Sequence, residues 1–157
     1  MKIYQINEKI KVEAGIDEVW GFFSNPKNLK EITPKNLNFK FISGVDCPMI
    51  YPGKLIEYKV HPILGLPLQW VTEITAVKDR EYFIDEQRFG PYKLWHHLHM
   101  FKEVEGGVEV RDQVHYAMPF GLLGQIGREL VVKSQLKEIF QYRKTALERF
   151  YSVLECE

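Results

Sequence analysis

The 157-residue chain has no run of about 18 consecutive apolar residues, only two cysteines, and no excess of either charge, with 21 basic and 21 acidic side chains. The first absence excludes a membrane-spanning helix. The opening Met1-Lys2-Ile3-Tyr4-Gln5-Ile6-Asn7 also lacks the continuous apolar segment of a signal peptide, so a cytoplasmic location is expected. Cys47 and Cys156 have neither metal-ligand spacing nor the density of a secreted disulfide scaffold, and both are expected to be incidental thiols. Nucleic-acid binding draws on phosphate neutralisation, and without a dense run of Lys and Arg no nucleic-acid partner is expected. Proline is absent from Leu122 to Tyr151, and glycine is absent from that stretch after Gly127.

What is present is the patterning of one ordinary globular domain spanning 1–157, with no internal repeat, linker or low-complexity tract. Tyr4, Ile6, Ile10 and Val12 alternate with Lys9, Lys11 and Glu13, as a half-buried strand requires. Ile16, Val19, Trp20 and Phe23 recur at helical spacing, and Asn25-Pro26 stops that helix because the residue before proline is pushed out of the α region. A second short helix is predicted from Pro26 to about Ile32, ended by Thr33-Pro34. Six strands follow, at about 37–44, 54–61, 68–77, 81–89, 93–105 and 108–118, separated by turn residues. After Pro119 the period changes. Leu122, Ile126, Leu136, Ile139, Phe140, Leu147 and Phe150 fall on one broad face of a long amphipathic helix, which must bury that stripe on the concave side of the sheet. The fold expected is α+β, a curved antiparallel sheet of about seven strands wrapped around a long C-terminal helix.

Loops of a meander alternate between the two ends of the sheet. One end collects Asp46–Gly53, Lys78-Asp79-Arg80 and Gly106-Gly107, mostly polar. The other collects Pro62–Pro67, Gly90-Pro91-Tyr92 and Pro119–Gly124, which are apolar and rich in Gly and Pro. Apolar loops at a single end predict the mouth of an apolar cavity or a contact surface.

With Gly106-Gly107 taken as the centre of a two-residue turn, Phe101 stands opposite Asp112, His99 opposite Val114, His97 opposite Tyr116 and Trp95 opposite Met118. Two histidines, a carboxylate and a phenol then line an otherwise apolar inner face, where unpaired charge is costly. On the long helix Arg143 falls inside the apolar stripe, so an anion should meet it: Asp112, or the carboxylate or phosphate of a ligand. Three uses of His97, His99, Asp112 and Arg143 stay open: a network that rigidifies the core, orientation of a ligand, and acid–base catalysis. A metal site at His97 and His99 is not taken up, because the only further ligand in view is Asp112. No cofactor is called for.

The sequence Gly90-Pro91-Tyr92, Trp95-His96-His97-Leu98-His99-Met100-Phe101, Gly107, Asp112-Gln113-Val114-His115-Tyr116, Pro119 and Phe140-Gln141-Tyr142-Arg143 resembles the START-like (SRPBCC) ligand-binding proteins of the polyketide cyclase/dehydrase-like group. Val19-Trp20, Phe23, Asn25-Pro26, Leu29 and Thr33-Pro34 resemble that group's first-helix signature, so the likeness runs along nearly the whole chain. The resemblance implies a helix-grip fold with a hydrophobic cavity for a lipid, polyketide or other apolar small molecule. The superfamily includes both carriers and aromatase/cyclase enzymes, so whether a reaction occurs stays open. The expected ligand contacts are Trp95, His97, His99, Asp112, Tyr116, Phe140 and Arg143. In the enzyme reading, of cyclase or dehydratase type, His97 or His99 is the acid or base and Tyr116 a donor. A third reading is a protein-interaction module docking through the apolar loops, with Leu64, Leu66 and Phe120 at its surface.

Overall fold

The computed structural model describes residues 1–63, 66–121, 127 and 131–154. In chain order these form β1 (Tyr4–Val12), α1 (Ile16–Phe23), two 3-10 turns (Pro26–Lys30 and Lys35–Leu37), β2 (Lys40–Ser43), β3 (Leu55–Ile63), β4 (Leu66–Lys78), β5 (Tyr82–Phe89), β6 (Leu94–Val104), β7 (Gly107–Ala117), α2 (Lys133–Leu147) and a terminal β8 (Val153–Leu154). The strands make one antiparallel sheet in the order β2-β3-β4-β5-β6-β7-β1-β8. The register shifts between Phe41 and Ser43, between Val60 and Ile63 and at two points along β4. Such irregularities raise the local twist and bend a sheet, so α2 is received on a concave face.

α1 forms because Val19, Trp20 and Phe23 share its buried side, and it ends where Asn25 becomes extended and its side chain accepts a hydrogen bond from the Lys27 amide (3.1 Å). Trp20 meets Phe101 edge to face at 5.3 Å and Phe83 at 6.1 Å, while Phe23 meets Phe101 at 5.3 Å. This aromatic cluster, with Val108 and Val110 of β7 beside it, fills one end of the space between sheet and helices. The other end is hollow.

The β6–β7 register differs from expectation by two residues. Val104 pairs with Gly107, so Glu105 and Gly106 are the centre of the turn, with Gly106 at φ +79 supplying the left-handed position. His99 therefore stands opposite Asp112, His97 opposite Val114, Trp95 opposite Tyr116 and Phe101 opposite Val110. A slip of two preserves the side-chain faces, because the strand period is two. The inner face is thus the one expected, with different neighbours across it.

Other differences have local causes. β2 starts at Lys40 rather than near residue 37, because the 3-10 turn after Pro34 ends on Asn38 in the left-handed region at φ 45. The second short helix is the five-residue 3-10 turn from Pro26. The described part of the long helix is α2; 122–126 and 128–130, including Leu122 and Ile126, lie outside the described residues. Beyond Leu147 the chain leaves the helix, so Phe150 is half exposed rather than part of the buried stripe, while Tyr151 is buried. β8 was not expected, since two residues are too few to show alternation; it pairs Val153 with Val12 on the free side of β1.

Gly107 sits at φ +153 where β7 approaches β1, and a Cβ there would overlap the carbonyl oxygen of Val12. Both atoms in conflict belong to paired strands, so neither yields easily. Gly107→Ala is expected to cost about 2 kcal/mol or more, read as a lower urea midpoint at unchanged slope; a wild-type midpoint would contradict the close approach.

Candidate functional site: an apolar cavity with a charged end

Between the concave sheet and α2 lies a cavity of about 920 Å³. Its walls are mostly apolar and aromatic: Tyr58, Trp70, Tyr92 and Trp95 from the sheet and its loops, Leu136, Ile139 and Phe140 from α2, and Leu29 and Ile32 from the segment after α1. The rings brace one another, Trp70 against Trp95 edge to face at 5.3 Å and Tyr92 against Trp95 at 4.9 Å. The Tyr58 hydroxyl and Thr72 Oγ1 share a hydrogen bond of 3.2 Å, and burial raises the phenol pKa far above its ordinary value. The buried indole N–H of Trp70 has no hydrogen-bond partner among the described residues. Gly90, Pro91, Tyr92, Met118, Pro119 and Phe120 also line the cavity, and Phe120 is 82% exposed, so the pocket reaches the surface beside two of the apolar loops. The third of those loops contains Leu64 and Gly65, which lie outside the described residues; Leu66 at its edge is exposed.

The charged end is built from three strands and α2. His97 and His99 lie two residues apart on β6 and share its inward face, their ring centroids 3.7 Å apart. Asp112 of β7 lies on one side: its Oδ1 accepts from His97 Nε2 at 2.8 Å and from Arg143 Nη1 at 2.8 Å, and stands 2.9 Å from His99 Nδ1 at an angle too poor for a hydrogen bond. Asp85 of β5, directly opposite His97 in the sheet, lies on the other side. Its Oδ2 is 2.7 Å from His99 Nε2 and 3.5 Å from His97 Nδ1. Phe83 stacks on His99 at 4.1 Å, and the Arg143 guanidinium lies 5.4 Å from the ring centre of Phe23. Arg143 reaches this point because it shares a helix face with Leu136, Phe140 and Leu147.

Burial favours the neutral form of every group here, and the partners decide where that wins. Burial would raise the Asp112 carboxyl, but the Arg143 guanidinium and the two imidazoles close beside it hold it well below the usual carboxylate range. Burial pushes Asp85 the same way, and His97, His99 and Arg143 together bring it below its ordinary value. His97 is lowered by burial and by the neighbouring His99 against the pull of the carboxylates, whereas at His99 the close carboxylates of Asp112 and Asp85 overcome burial and raise it. The surroundings therefore favour the charged form more at His99 than at His97. His97 Nε2 lies 2.8 Å from Asp112 Oδ1, and its Nδ1 faces Asp85 Oδ2 at 3.5 Å.

Of the residues singled out from the sequence, Trp95, His97, His99, Phe140 and Arg143 line the cavity. Asp112 is buried behind the histidines and holds them from the side away from the space. Tyr116 packs in a cluster with Tyr4, Val114, Val132 and Leu136 rather than on the cavity wall. Arg143 meets its anion within the chain, yet its buried Nε has no partner among the described residues and the side chain borders the cavity. Asp85 was missed. It was detectable in the β5–β6 connection, because centring that hairpin on Pro91 puts Asp85 opposite His97.

Among the described residues no helix is long and apolar enough to cross a membrane. No family model and no curated protein matches the chain. Solved structures do match it. A Chromobacterium violaceum protein is 12% identical at a TM-score of 0.71 over 94% of this chain and 97% of that one. Major latex-like protein 151 of Panax ginseng is 13% identical at a TM-score of 0.68 over 96% and 98%. A Thermus thermophilus protein is 14% identical at a TM-score of 0.67 over 93% and 95%. At these identities the likeness concerns architecture, and together with the element order above it establishes that the chain has the helix-grip fold.

Proposed function

We propose that the chain binds a hydrophobic small molecule, of the lipid or polyketide kind, inside the cavity with a polar or acidic head directed toward His97, His99 and Arg143. The observation that carries this reading is the cavity itself: about 920 Å³ with apolar walls is far more than the voids of an ordinary packed core. The unpartnered donors of Trp70 and Arg143 supply the polar contacts that orient a ligand in such a space. The test uses the protein stripped with organic solvent and an anionic naphthalene sulfonate dye. One dye per chain is expected, with enhanced dye fluorescence, a shift in tryptophan emission from Trp70 and Trp95, and displacement by a long-chain fatty acid. A dye that stays dark, with tryptophan emission unmoved by dye or fatty acid, overturns the reading.

A second reading is favoured by one observation, two imidazoles with ring centroids 3.7 Å apart on the cavity wall, whose surroundings shift them in opposite directions. His97, whose surroundings favour the neutral form, and His99, whose surroundings favour the charged form, offer a base and an acid to one bound molecule, as a cyclase or dehydratase requires. Turnover lost in His97→Gln while dye binding persists would favour catalysis over carriage.

A further inference from the structure

The geometry points to a divalent transition-metal site of the zinc type at Asp85, His97 and His99, opening onto the apolar cavity. Asp85, His97 and His99 each offer one ligand atom within 4.8 Å of the other two, and all three residues line the cavity. In a tetrahedral site with bonds of about 2.0–2.1 Å, ligand atoms are separated by about 3.3–3.4 Å. The two measured separations, 2.7 Å from Asp85 Oδ2 to His99 Nε2 and 3.5 Å to His97 Nδ1, straddle that edge, so an ion enters by a small spreading of side chains already in place.

The surroundings match what metal-bound histidines require. Each ring turns its other nitrogen toward Asp112 Oδ1, at 2.8 Å for His97 Nε2 and 2.9 Å for His99 Nδ1, and Arg143 anchors that carboxylate at 2.8 Å. A carboxylate behind the imidazole fixes its tautomer and orientation and strengthens it as a ligand. When the ion binds, the proton that His99 Nε2 holds against Asp85 leaves to solvent, and the metal takes its place between nitrogen and oxygen. Two neutral imidazoles and one carboxylate leave a divalent ion one positive charge in excess and a coordination position facing the cavity. The ligand that completes it is a hydroxide or the anionic oxygen of a bound amphiphile.

This inference goes beyond the carrier reading and stands independently of it, because the ion needs no apolar ligand. Protein freed of metal with a chelator is titrated with Zn²⁺ by calorimetry and with Co²⁺ by visible absorption, in the absence of any amphiphile. One ion per chain is expected, with the intense d–d bands of four-coordinate Co²⁺. Affinity should fall at least 100-fold in Asp85→Asn and remain unchanged in His96→Gln, which alters a histidine bonded to Glu86 away from the proposed ligands. Nitrogen-15 NMR of the wild-type imidazoles gives a readout that does not depend on how the variant folds: Zn²⁺ should move His97 and His99 and leave His115 in place. No stoichiometric binding, binding equally tight in a folded Asp85→Asn, or shifts confined to His96 and His115 would each overturn the site. The dye and fatty-acid measurement decides the cavity reading separately.

Discussion

Asp112→Ala should lower the free energy of unfolding by about 3–5 kcal/mol, because it removes one buried carboxylate that both Arg143 and His99 lean on. Asp112 and His99 are 4% exposed and Arg143 8%, so the guanidinium and the imidazole are left buried without the carboxylate they share, and Asp85 remains beside the histidines. Adding Arg143→Met should then return part of the loss. The deficit of the single variant is mainly the burial of an unpaired charge, and a coupling of about 0.5–3 kcal/mol is the range for residues in one network. The pH dependence carries the same sign. A carboxyl held well below its ordinary 3.8 contributes fully above that value and loses its contribution as pH falls through the folded-state value. Wild type and Asp112→Ala should therefore converge in stability only in acid below 3.8. Urea denaturation across pH checks both points; strictly additive effects of the two substitutions would show that Asp112 and Arg143 do not depend on each other.

Trp20→Ala should cost about 3–5 kcal/mol and abolish dye binding with it. The indole is buried against Phe101 and Phe83, and it holds α1 on the sheet. Phe23 at the end of α1, and Asn28, Leu29 and Ile32 beyond it, line the cavity, so a loosened α1 takes one wall with it. Denaturation and dye titration on the same preparation distinguish this from a loss of stability alone. Full binding at native protein concentration, with the stability lowered as expected, would mean that the wall is held by something other than the indole.

Much of this was legible in the sequence because the signals are strictly periodic. Alternation of Trp95, His97, His99 and Phe101 against Val110, Asp112 and Val114 fixes which side chains share a face even when the turn is misplaced, since parity survives an even slip. Arg143 announced its partner because a guanidinium within an apolar helical stripe must find an anion. Asp85 escaped for the opposite reason. It lies in Tyr82–Phe89 beside Glu86, Gln87 and Arg88, where a carboxylate is unremarkable unless the neighbouring strand's register is known. Tyr116 was placed on the cavity wall from its parity alone. Parity says that a side chain points inward but not whether it meets space or packing, and at its height along β7 the side chains of Val132 and Leu136 occupy the interior. The cavity volume belongs to the same class of property: it is set by the bend of the sheet and the distance of α2, neither of which one strand's pattern encodes.

The position of β1 in the sheet constrains how this chain can be made. Tyr4 to Val12 are synthesised well before their partners: they pair with Tyr116 to Val108 on one side, and Lys11 and Val12 pair with Leu154 and Val153 on the other. At ~5–20 residues per second, the nascent segment waits on the order of ten seconds for its first partner strand and longer for its second. During that interval its apolar edge has nothing of its own to pair with, and the charges on Glu8, Lys9, Lys11 and Glu13 are what keep it from pairing with a neighbouring copy. The α2 side chains that complete the cavity wall, Leu136, Ile139, Phe140 and Arg143, follow β7 in the chain, so the hollow closes only after every strand that lines it has been made.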